Sequence, residues 1–272
     1  MKQMFYSALW FSGILAGVLP MHAVQIIAHR GASSDAPENT LSSFKLGYQQ
    51  QADADECDIH LTKDRQIVVI HDADTARTSG VTNQIGEQTL AELRVLDFGR
   101  WGPWRDRGFS ERIPLLEEVL AVIPEGKRLF IEIKCGPEIL PELQLVLARA
   151  QKRPQQIAII GFNLETMRQA KTKFPQLEVC WLASADKDKK FPPLQLLIEN
   201  AKAARLDGLD LNSGFPIHRE FVSEVHHAGL KLYTWTVDDL KIARQEVEAG
   251  VDGITTNRPG WLRRQLGLKP VP

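Results

Sequence analysis

Nine short apolar runs, separated by segments with helical patterning, constrain the fold of this chain more than any other feature of its sequence. Only residues 61–65 separate the second run from the third, which is too short for a parallel crossover and predicts an antiparallel hairpin. Eight parallel strands then remain, and their alternation with helices predicts a closed (β/α)8 TIM barrel rather than an open doubly wound sheet. The runs cover residues 24–28, 55–60, 66–71, 128–134, 156–161, 177–182, 206–211, 230–236 and 251–256.

The segments between the runs are consistent with this count. Residues 238–250 carry two aspartates that start a helix, a periodic body and a glycine that ends it. Residues 73–112 are longer than a standard βα connection and predict a small insertion over the barrel mouth, after the hairpin. Trp101 and Trp104 in this insertion either line a substrate path or, as we expect, pack the insertion onto the barrel.

The composition excludes several classes of function. A formal net charge of −1 provides no basic field, so neither nucleic acid nor an anionic membrane is an expected partner. A small-molecule ligand, held by local charges, is expected instead. Cys57, Cys135 and Cys180 are odd in number and lack metal-binding spacing, which favours free core thiols, with a Cys57–Cys135 bridge as the alternative.

The first residues resemble an export signal. Lys2 precedes a mostly apolar run from Met4 to Leu19, and Ala23 follows shortly afterwards. We therefore predict a signal peptide over residues 1–23 and an exported domain, periplasmic or secreted, over residues 24–272. The apolar run is shorter than the about 20 residues of a comfortable membrane span, so no stable membrane insertion is expected after cleavage, with an uncleaved anchor as the alternative.

Charged side chains stand at the ends of two predicted strands. Because side chains alternate along a strand, Glu56 and Asp58 point to the barrel axis while Cys57 points to the helix layer. The same spacing sends Glu132 and Lys134 to one face near the end of a later strand. Charges inside a barrel are costly unless they are paired or bind a metal, and barrel active sites form at strand exits. These residues therefore predict a functional site.

The first strand ends in His29 and Arg30, a titratable imidazole and a permanent cation suited to a phosphate group. Glu56, Asp58 and Glu132 offer oxygen ligands without a thiolate, which favours Mg²⁺ or Ca²⁺ over zinc. The alternative is a salt-bridged barrel core with arginine and lysine counter-ions. An excess of carboxylates in a closed interior argues against that alternative.

The hairpin predicts where a second imidazole lies. If Asp64 and Arg65 form a two-residue turn, Asp58 lies directly opposite His71. Arginine is a poor residue for the positive φ of a tight primed turn, so a longer loop with a shifted register is the alternative.

Seven short motifs follow one another along the chain. They are His29-Arg30-Gly31, Pro37-Glu38-Asn39-Thr40, Glu56-x-Asp58, His71-Asp72, Glu132-x-Lys134, Trp235-Thr236-Val237 and Gly253-Ile254-Thr255-Thr256-Asn257. In order and spacing they resemble the glycerophosphodiester phosphodiesterases over nearly the whole chain beyond the signal. The resemblance implies the (β/α)8 fold and metal-dependent hydrolysis of glycerophosphodiesters to glycerol 3-phosphate and an alcohol.

The resemblance also implies roles for individual residues. His29 and His71 would be the acid–base catalysts, Arg30 and Lys134 would contact the phosphate, and the metal ligands would be Glu56, Asp58 and Glu132. Trp235 ends a strand and either walls the glycerol pocket or packs in the core. Which histidine is the acid, and whether water or the glycerol 2-hydroxyl attacks, stays open.

Three departures distinguish this chain from the family pattern. Gly161-Phe162-Asn163 stands where members often carry Ser-Phe, Asp238 replaces a usual Asn, and Asn257 replaces a frequent Asp. We expect none of them to touch the residues assigned to the chemistry, so they bear on substrate contacts more than on the reaction.

Two other functions fit the same residues. A phospholipase D-like enzyme, acting on lysophospholipid or sphingomyelin head groups, would share the barrel and the metal site. A non-catalytic phosphodiester-binding protein would share the cations, but the presence of both histidines and all three carboxylates argues against it.

Overall fold

Eight parallel strands close into a barrel in the computed structural model, which describes residues 24–269. The hydrogen-bonded order is β1-β9-β8-β7-β6-β5-β4-β2-β3, and pairing of β1 with β2 closes the ring. The predicted signal peptide lies outside the described residues. In chain order the strands are β1 Gln25–Ala28, β2 Ala54–Leu61, β3 Ile67–Val69, β4 Arg128–Ile133, β5 Ile157–Gly161, β6 Glu178–Ala183, β7 Gly208–Asn212, β8 Lys231–Trp235 and β9 Gly253–Thr256.

Helices alternate with these strands around the barrel, so the predicted TIM barrel is confirmed. Over residues 24–269, none of them has the length and apolar character needed to cross a membrane. The helices are α1 Leu41–Gln49, α2 Ala76–Ser79, α3 Leu90–Leu93, α4 Leu116–Val122, α5 Leu140–Ala150, α6 Leu164–Lys173, α7 Leu194–Ala203, α8 Arg219–His227, α9 Leu240–Ala249 and α10 Pro259–Leu266.

Local sequence signals account for the ends of the helices. Thr40 caps α1 by accepting a hydrogen bond from the backbone N–H of Ser43, whose side chain caps Thr40 in return. Asp239 caps α9, and Gly250 ends that helix in the left-handed conformation. The polar loops that precede each cap are therefore held at fixed positions on the barrel rim.

The apolar residues form an inner layer and an outer layer. The apolar side chains of the inner layer, inside the barrel, are those of Ile27, Ala54, Phe130, Ala158, Ile160, Cys180, Leu182 and Tyr233. A larger cluster between the strands and the helices includes Cys57, as the strand alternation predicts. The three cysteines are free, so the alternative Cys57–Cys135 bridge is absent.

The antiparallel pairing of β2 with β3 is confirmed, but the predicted register is wrong by one residue. Ile59 pairs with Val69, and the N–H of Ile70, rather than His71, donates to the carbonyl of Asp58 over 3.0 Å. The loop has three residues instead of two, because Arg65 adopts a φ of 60° at its last position. His71 still reaches the barrel mouth because it follows the end of the strand.

Residues 73–112 pack on the barrel through a small core of their own. This core joins Ile85, Leu93 and Phe98 to Val68 at the back of β3. Trp104 is buried edge-on against Phe109, with ring centroids 5.6 Å apart. The tryptophan therefore packs within the insertion.

Gly31, directly after the first strand, occupies a position that only glycine fits. Its φ is 78°, and a Cβ atom there would overlap main-chain atoms of Ser43 in α1. The close approach allows the chain to turn sharply after His29 and Arg30.

We expect Gly31→Ala to destabilise the protein far more than Gly80→Ala. Gly80 has nearly the same φ, 76°, but there is open space where an added Cβ atom would lie. The Gly80 variant should lose about 1–2 kcal/mol from the left-handed conformation alone. The Gly31 variant adds a main-chain clash and should lose about 3 kcal/mol or more. Urea unfolding measures both, and equal losses would contradict the packing argument.

Candidate active site

A cavity of about 220 Å³ lies at the carboxyl ends of the barrel strands. It brings together seven of the eight residues predicted for the site, and the eighth, Asp58, is buried in contact with two of them. One half of the lining is charged, with His29, Arg30, Glu56, His71, Glu132 and Lys134, and the other half is formed by Ile160, Phe162, Leu182, Asp210, Trp235, Thr236 and Thr255.

Three carboxylates form the base of the charged half. Oxygen atoms of Glu56, Asp58 and Glu132 lie within 4.8 Å of one another, and all three residues are buried. The cluster arises because β2 and β4 run in parallel with Asp58 beside Glu132. Such a set of oxygen atoms could hold a divalent cation.

Two cations offset only part of this charge. The Arg30 Nε atom lies 3.2 Å from Asp58, and Lys134 Nζ lies 2.9 Å from Glu132 and 3.5 Å from Asp58. Glu56 accepts a hydrogen bond from the backbone N–H of Arg30. Among the described residues, Glu56 Oε1 and Asp58 Oδ1 are buried without a hydrogen-bond partner. Glu56 Oε1 is therefore available to coordinate an ion, whereas Asp58 Oδ1 already forms the 3.5 Å ion pair with Lys134 Nζ.

The three carboxyl groups differ in acidity. Burial opposes ionisation of Asp58, but Arg30 and Lys134 together hold its pKa at about 2. Burial and the neighbouring charge of Asp58 raise the pKa of Glu132 to about 7, and burial with the same repulsion raises the pKa of Glu56 well above its usual value. The site thus strongly favours a proton or a cation on these two glutamates.

Asn39 holds Asp58 in place. Its side-chain Nδ2 donates to Asp58 Oδ2 over 2.8 Å, and its Oδ1 accepts from the backbone N–H of Asp58. Thr40, not Asn39, caps the first helix. Asn39 therefore acts as a support for the carboxylate cluster.

His71 is oriented by a chain of charged residues that reaches the insertion. Its Nδ1 lies 2.7 Å from Asp72 Oδ1, and the other oxygen of Asp72 accepts from Arg77 Nε over 2.7 Å. Arg77 also binds Glu38, which in turn binds Arg30. The insertion thus links the surroundings of His71 to those of Arg30 through side-chain contacts.

His29 is oriented by one of the residues that depart from the family pattern. Its Nδ1 lies 2.7 Å from Asn257 Oδ1, and Asn257 Nδ2 donates to Asp238 Oδ2 over 2.5 Å. The expectation that no departure touches a residue assigned to the chemistry is therefore wrong, because Asn257 contacts His29 directly and Asp238 contacts Asn257. The pairing of β1 with β9 brings the last loop beside the first, a contact that local sequence patterns do not reveal.

The less charged half of the cavity presents aromatic and polar groups. Trp235 and Phe162 pack edge to face with ring centroids 5.5 Å apart, and Trp235 Nε1 donates to the carbonyl of Asp210. The carboxyl group of Asp210 is buried, with Oδ1 unpartnered among the described residues, and burial raises its pKa well above its usual value. Sequence reasoning missed Asp210, although it is the one acidic residue between two leucines of β7.

The chain matches the glycerophosphoryl diester phosphodiesterase family over residues 29–261. A glycerophosphodiester phosphodiesterase of Caldanaerobacter subterraneus subsp. tengcongensis is 35% identical over 244 residues, which cover 87% of this chain and 95% of that protein. One from Bacillus subtilis is 28% identical over 86% of this chain and 83% of its own length. The structure of an Oleispira antarctica phosphodiesterase in complex with the product sn-glycerol-3-phosphate matches with a TM-score of 0.81 and 29% identity, covering 90% of this chain and 97% of that one.

We expect the affinity of the site for Mg²⁺ or Ca²⁺ to fall as the pH is lowered through 7. The pKa of Glu132 is about 7, so below that pH a proton competes with the cation for its carboxylate. The loss should approach about tenfold per pH unit for each displaced proton. Calorimetric titration at several pH values measures it.

Glu132→Gln should bind the cation more weakly and lose this part of the pH dependence. Glu117→Gln, on the outer surface of α4, should retain the pH profile of the original protein. If Glu132→Gln bound the cation with the same affinity as the original protein across this pH range, the assignment of Glu132 as a ligand would be contradicted.

Proposed function

Because the chain belongs to the glycerophosphoryl diester phosphodiesterase family, it is a phosphodiesterase, and we propose that it hydrolyses glycerophosphodiesters with a bound divalent cation and two acid–base histidines. The products would be glycerol 3-phosphate and an alcohol. The observation that carries this proposal is a single cavity that joins His29 and His71 to the carboxylate cluster.

The chemistry of the carboxylate cluster fits a divalent cation. Three buried carboxylates face two cationic side chains, and two of their oxygen atoms lack hydrogen-bond partners within the described part of the chain. Glu56, Asp58 and Glu132 would hold the ion, and their oxygen atoms favour Mg²⁺ or Ca²⁺. When bound, the cation would supply Lewis-acid stabilisation of the charge that grows on the phosphoryl oxygens.

Arg30 and Lys134 would bind the phosphodiester beside this cluster. Both side chains line the cavity, and both are already held by carboxylates, so they are oriented before the substrate arrives. A guanidinium and an ammonium that are fixed in advance stabilise the additional negative charge of the transition state without reorganisation.

The two histidines would divide the proton transfers. One accepts a proton from the attacking hydroxyl or water, and the other donates a proton to the oxygen of the departing alcohol. His71 Nδ1 lies 2.7 Å from Asp72 Oδ1, so a carboxylate orients this imidazole. Burial, together with the positive charge of Arg30, lowers the pKa of His29 to about 4 and keeps it neutral at physiological pH. His29 would therefore be the acceptor and His71 the donor.

Trp235 and Phe162 would contact the organic part of the substrate. They form an aromatic wall of the cavity, in which Lys134 Nζ lies 5.9 Å from the Phe162 ring centroid and Trp235 Nε1 donates to the carbonyl of Asp210. The product complex of the Oleispira relative supports glycerol 3-phosphate as the unit that such a cavity holds.

We also propose that the protein is exported after cleavage of a signal peptide near Ala23. The support is the sequence itself, in which Lys2 precedes an apolar run and Ala23 follows shortly after its end. Expression of the full chain followed by cell fractionation should place a protein that begins near Val24 outside the cytoplasm. Mass spectrometry of the purified protein measures the new N-terminus. Recovery of the intact chain from the cytoplasm would contradict export.

Both the cation and the histidines should be required for turnover. We expect EDTA to abolish release of glycerol 3-phosphate from glycerophosphocholine, and added Mg²⁺ or Ca²⁺ to restore it. His29→Ala and His71→Ala should each lower kcat by about 10²–10⁴-fold, because each removes one proton transfer. A coupled glycerol 3-phosphate assay measures these rates.

His227→Ala is the matched control, because this imidazole is exposed at the end of α8 and should be dispensable. Activity that survives chelation, or full activity in either active-site variant, would overturn the proposed mechanism. Faster turnover of micellar lysophospholipid than of glycerophosphocholine would favour the phospholipase D-like alternative.

A further inference from the structure

A hydrogen-bonded chain of three residues ends on the ring of His29. Asp238 Oδ1 accepts from the backbone N–H of Asn257 over 2.9 Å and from the Thr256 hydroxyl over 2.8 Å. Its other oxygen, Oδ2, accepts from Asn257 Nδ2, and Asn257 Oδ1 lies 2.7 Å from His29 Nδ1. The chain crosses from the loop after β8 to the loops after β9 and β1.

The donor and acceptor roles along this chain are fixed by chemistry. An ionised carboxylate only accepts hydrogen bonds, so the amide group of Asn257 that faces Asp238 must be its NH₂. The carbonyl oxygen of that amide then faces His29 and only accepts. His29 must therefore carry its proton on Nδ1, which leaves Nε2 with a free lone pair.

We propose that Asp238 and Asn257 are positioning residues that fix the tautomer of His29 and so make its Nε2 the proton acceptor of the reaction. The inference deepens the proposed function and rests on it for the identity of the reaction. Asp238 acts through the amide of Asn257 and does not touch the reacting atoms.

The proton transfers balance with this assignment. The oxygen of the attacking water forms a bond to phosphorus, and its proton moves to His29 Nε2. When the glycerol 2-hydroxyl attacks instead, its proton moves in the same way, and the resulting cyclic phosphate is opened by water in a second step. The bond between phosphorus and the alcohol oxygen breaks, and that oxygen takes a proton from His71. His29 then holds one additional proton and His71 one fewer, and exchange with solvent restores both.

The surroundings of His29 agree with a neutral acceptor. Burial, with Arg30 beside the ring, lowers the pKa of His29 to about 4, so the ring starts the reaction without a charge. A carboxylate at position 257 would favour the charged ring instead. In this protein the carboxylate belongs to Asp238 instead, and the amide of Asn257 separates it from the imidazole of His29.

The two residues are complementary, so they can be exchanged as a pair. Asp238→Asn alone would place an NH₂ opposite the NH₂ of Asn257, because the new oxygen stays with the backbone N–H of Asn257. Asn257 would then rotate its amide and present NH₂ to His29, which would move its proton to Nε2. Asn257→Asp alone would place two carboxylates in contact. The double exchange would restore one carboxylate and one amide.

The decisive experiment records long-range proton–nitrogen NMR spectra of the ¹⁵N-histidine-labelled full chain, with His29 assigned by comparison with His29→Gln. We expect protonated Nδ1 and unprotonated Nε2 in the original protein and the reverse in Asp238→Asn. In the double exchange the proton should return to Nδ1, because the carboxylate at position 257 can only accept a hydrogen bond from it. The kcat of Asp238→Asn should fall by about 10²–10⁴-fold with a smaller change in KM. The double exchange should recover most of that loss.

Ser33→Ala is the control, because it removes the hydrogen bond from Ser33 Oγ to Asn257 Oδ1 but leaves the contact of Asn257 Nδ2 with Asp238, which still orients the amide. It should leave the tautomer of His29 unchanged. The proposal would be overturned if the tautomer of His29 were unchanged in Asp238→Asn or reversed in Ser33→Ala. It would also be overturned if the loss of kcat in the double exchange equalled the product of the losses in Asp238→Asn and Asn257→Asp. The tautomer is read without turnover, so absence of phosphodiesterase activity in the original protein would reject the proposed function separately.

Discussion

Repulsion among three buried carboxylates is the constraint on which the rest of the site depends. The parallel register of β2 and β4 forces Asp58 and Glu132 together, and alternation along β2 adds Glu56. Three negative charges in a poorly solvated pocket are tolerable only when cations, protons or a metal ion offset them. Arg30 and Lys134 supply part of that compensation and are thereby oriented. The carboxylate repulsion that is electrostatically costly is therefore also the feature on which the proposed binding of a cation and a phosphodiester rests.

The two histidines receive different partners, and the difference defines what each can do. A carboxylate, Asp72, accepts from His71, whereas the neutral amide of Asn257 faces His29. A carboxylate stabilises a protonated ring, and an amide orients a ring without adding charge. The same barrel mouth therefore provides one imidazole suited to donate a proton and one suited to accept it, although both share one cavity.

Much of the fold could be predicted from the sequence, because strand length, alternation and helix caps are local properties. Alternation predicted that Glu56, Asp58 and Glu132 share the inner face of the barrel, and the register of β2 with β4 then places Asp58 beside Glu132. The hairpin register did not follow from local patterns, because Arg65 in its left-handed conformation binds Glu142, which lies 77 residues away on α5. The contact of Asn257 with His29 was equally hidden, because it exists only after the first and last strands pair. Asp210, an isolated acid in an apolar strand, was detectable but was overlooked.

The bond between His29 and Asn257 joins residues 228 positions apart, so it has a consequence for the order in which the enzyme is completed during synthesis. All three carboxylates, both histidines, Arg30 and Lys134 belong to the first half of the chain. Asn257, the proposed positioning residue for His29, is translated near the end. If Asn257 orients His29 as proposed, a nascent chain that already contains these charged groups still lacks an oriented base until the last strand is added. Catalytic competence would be a late event, acquired with the final strand rather than with the residues that perform the chemistry.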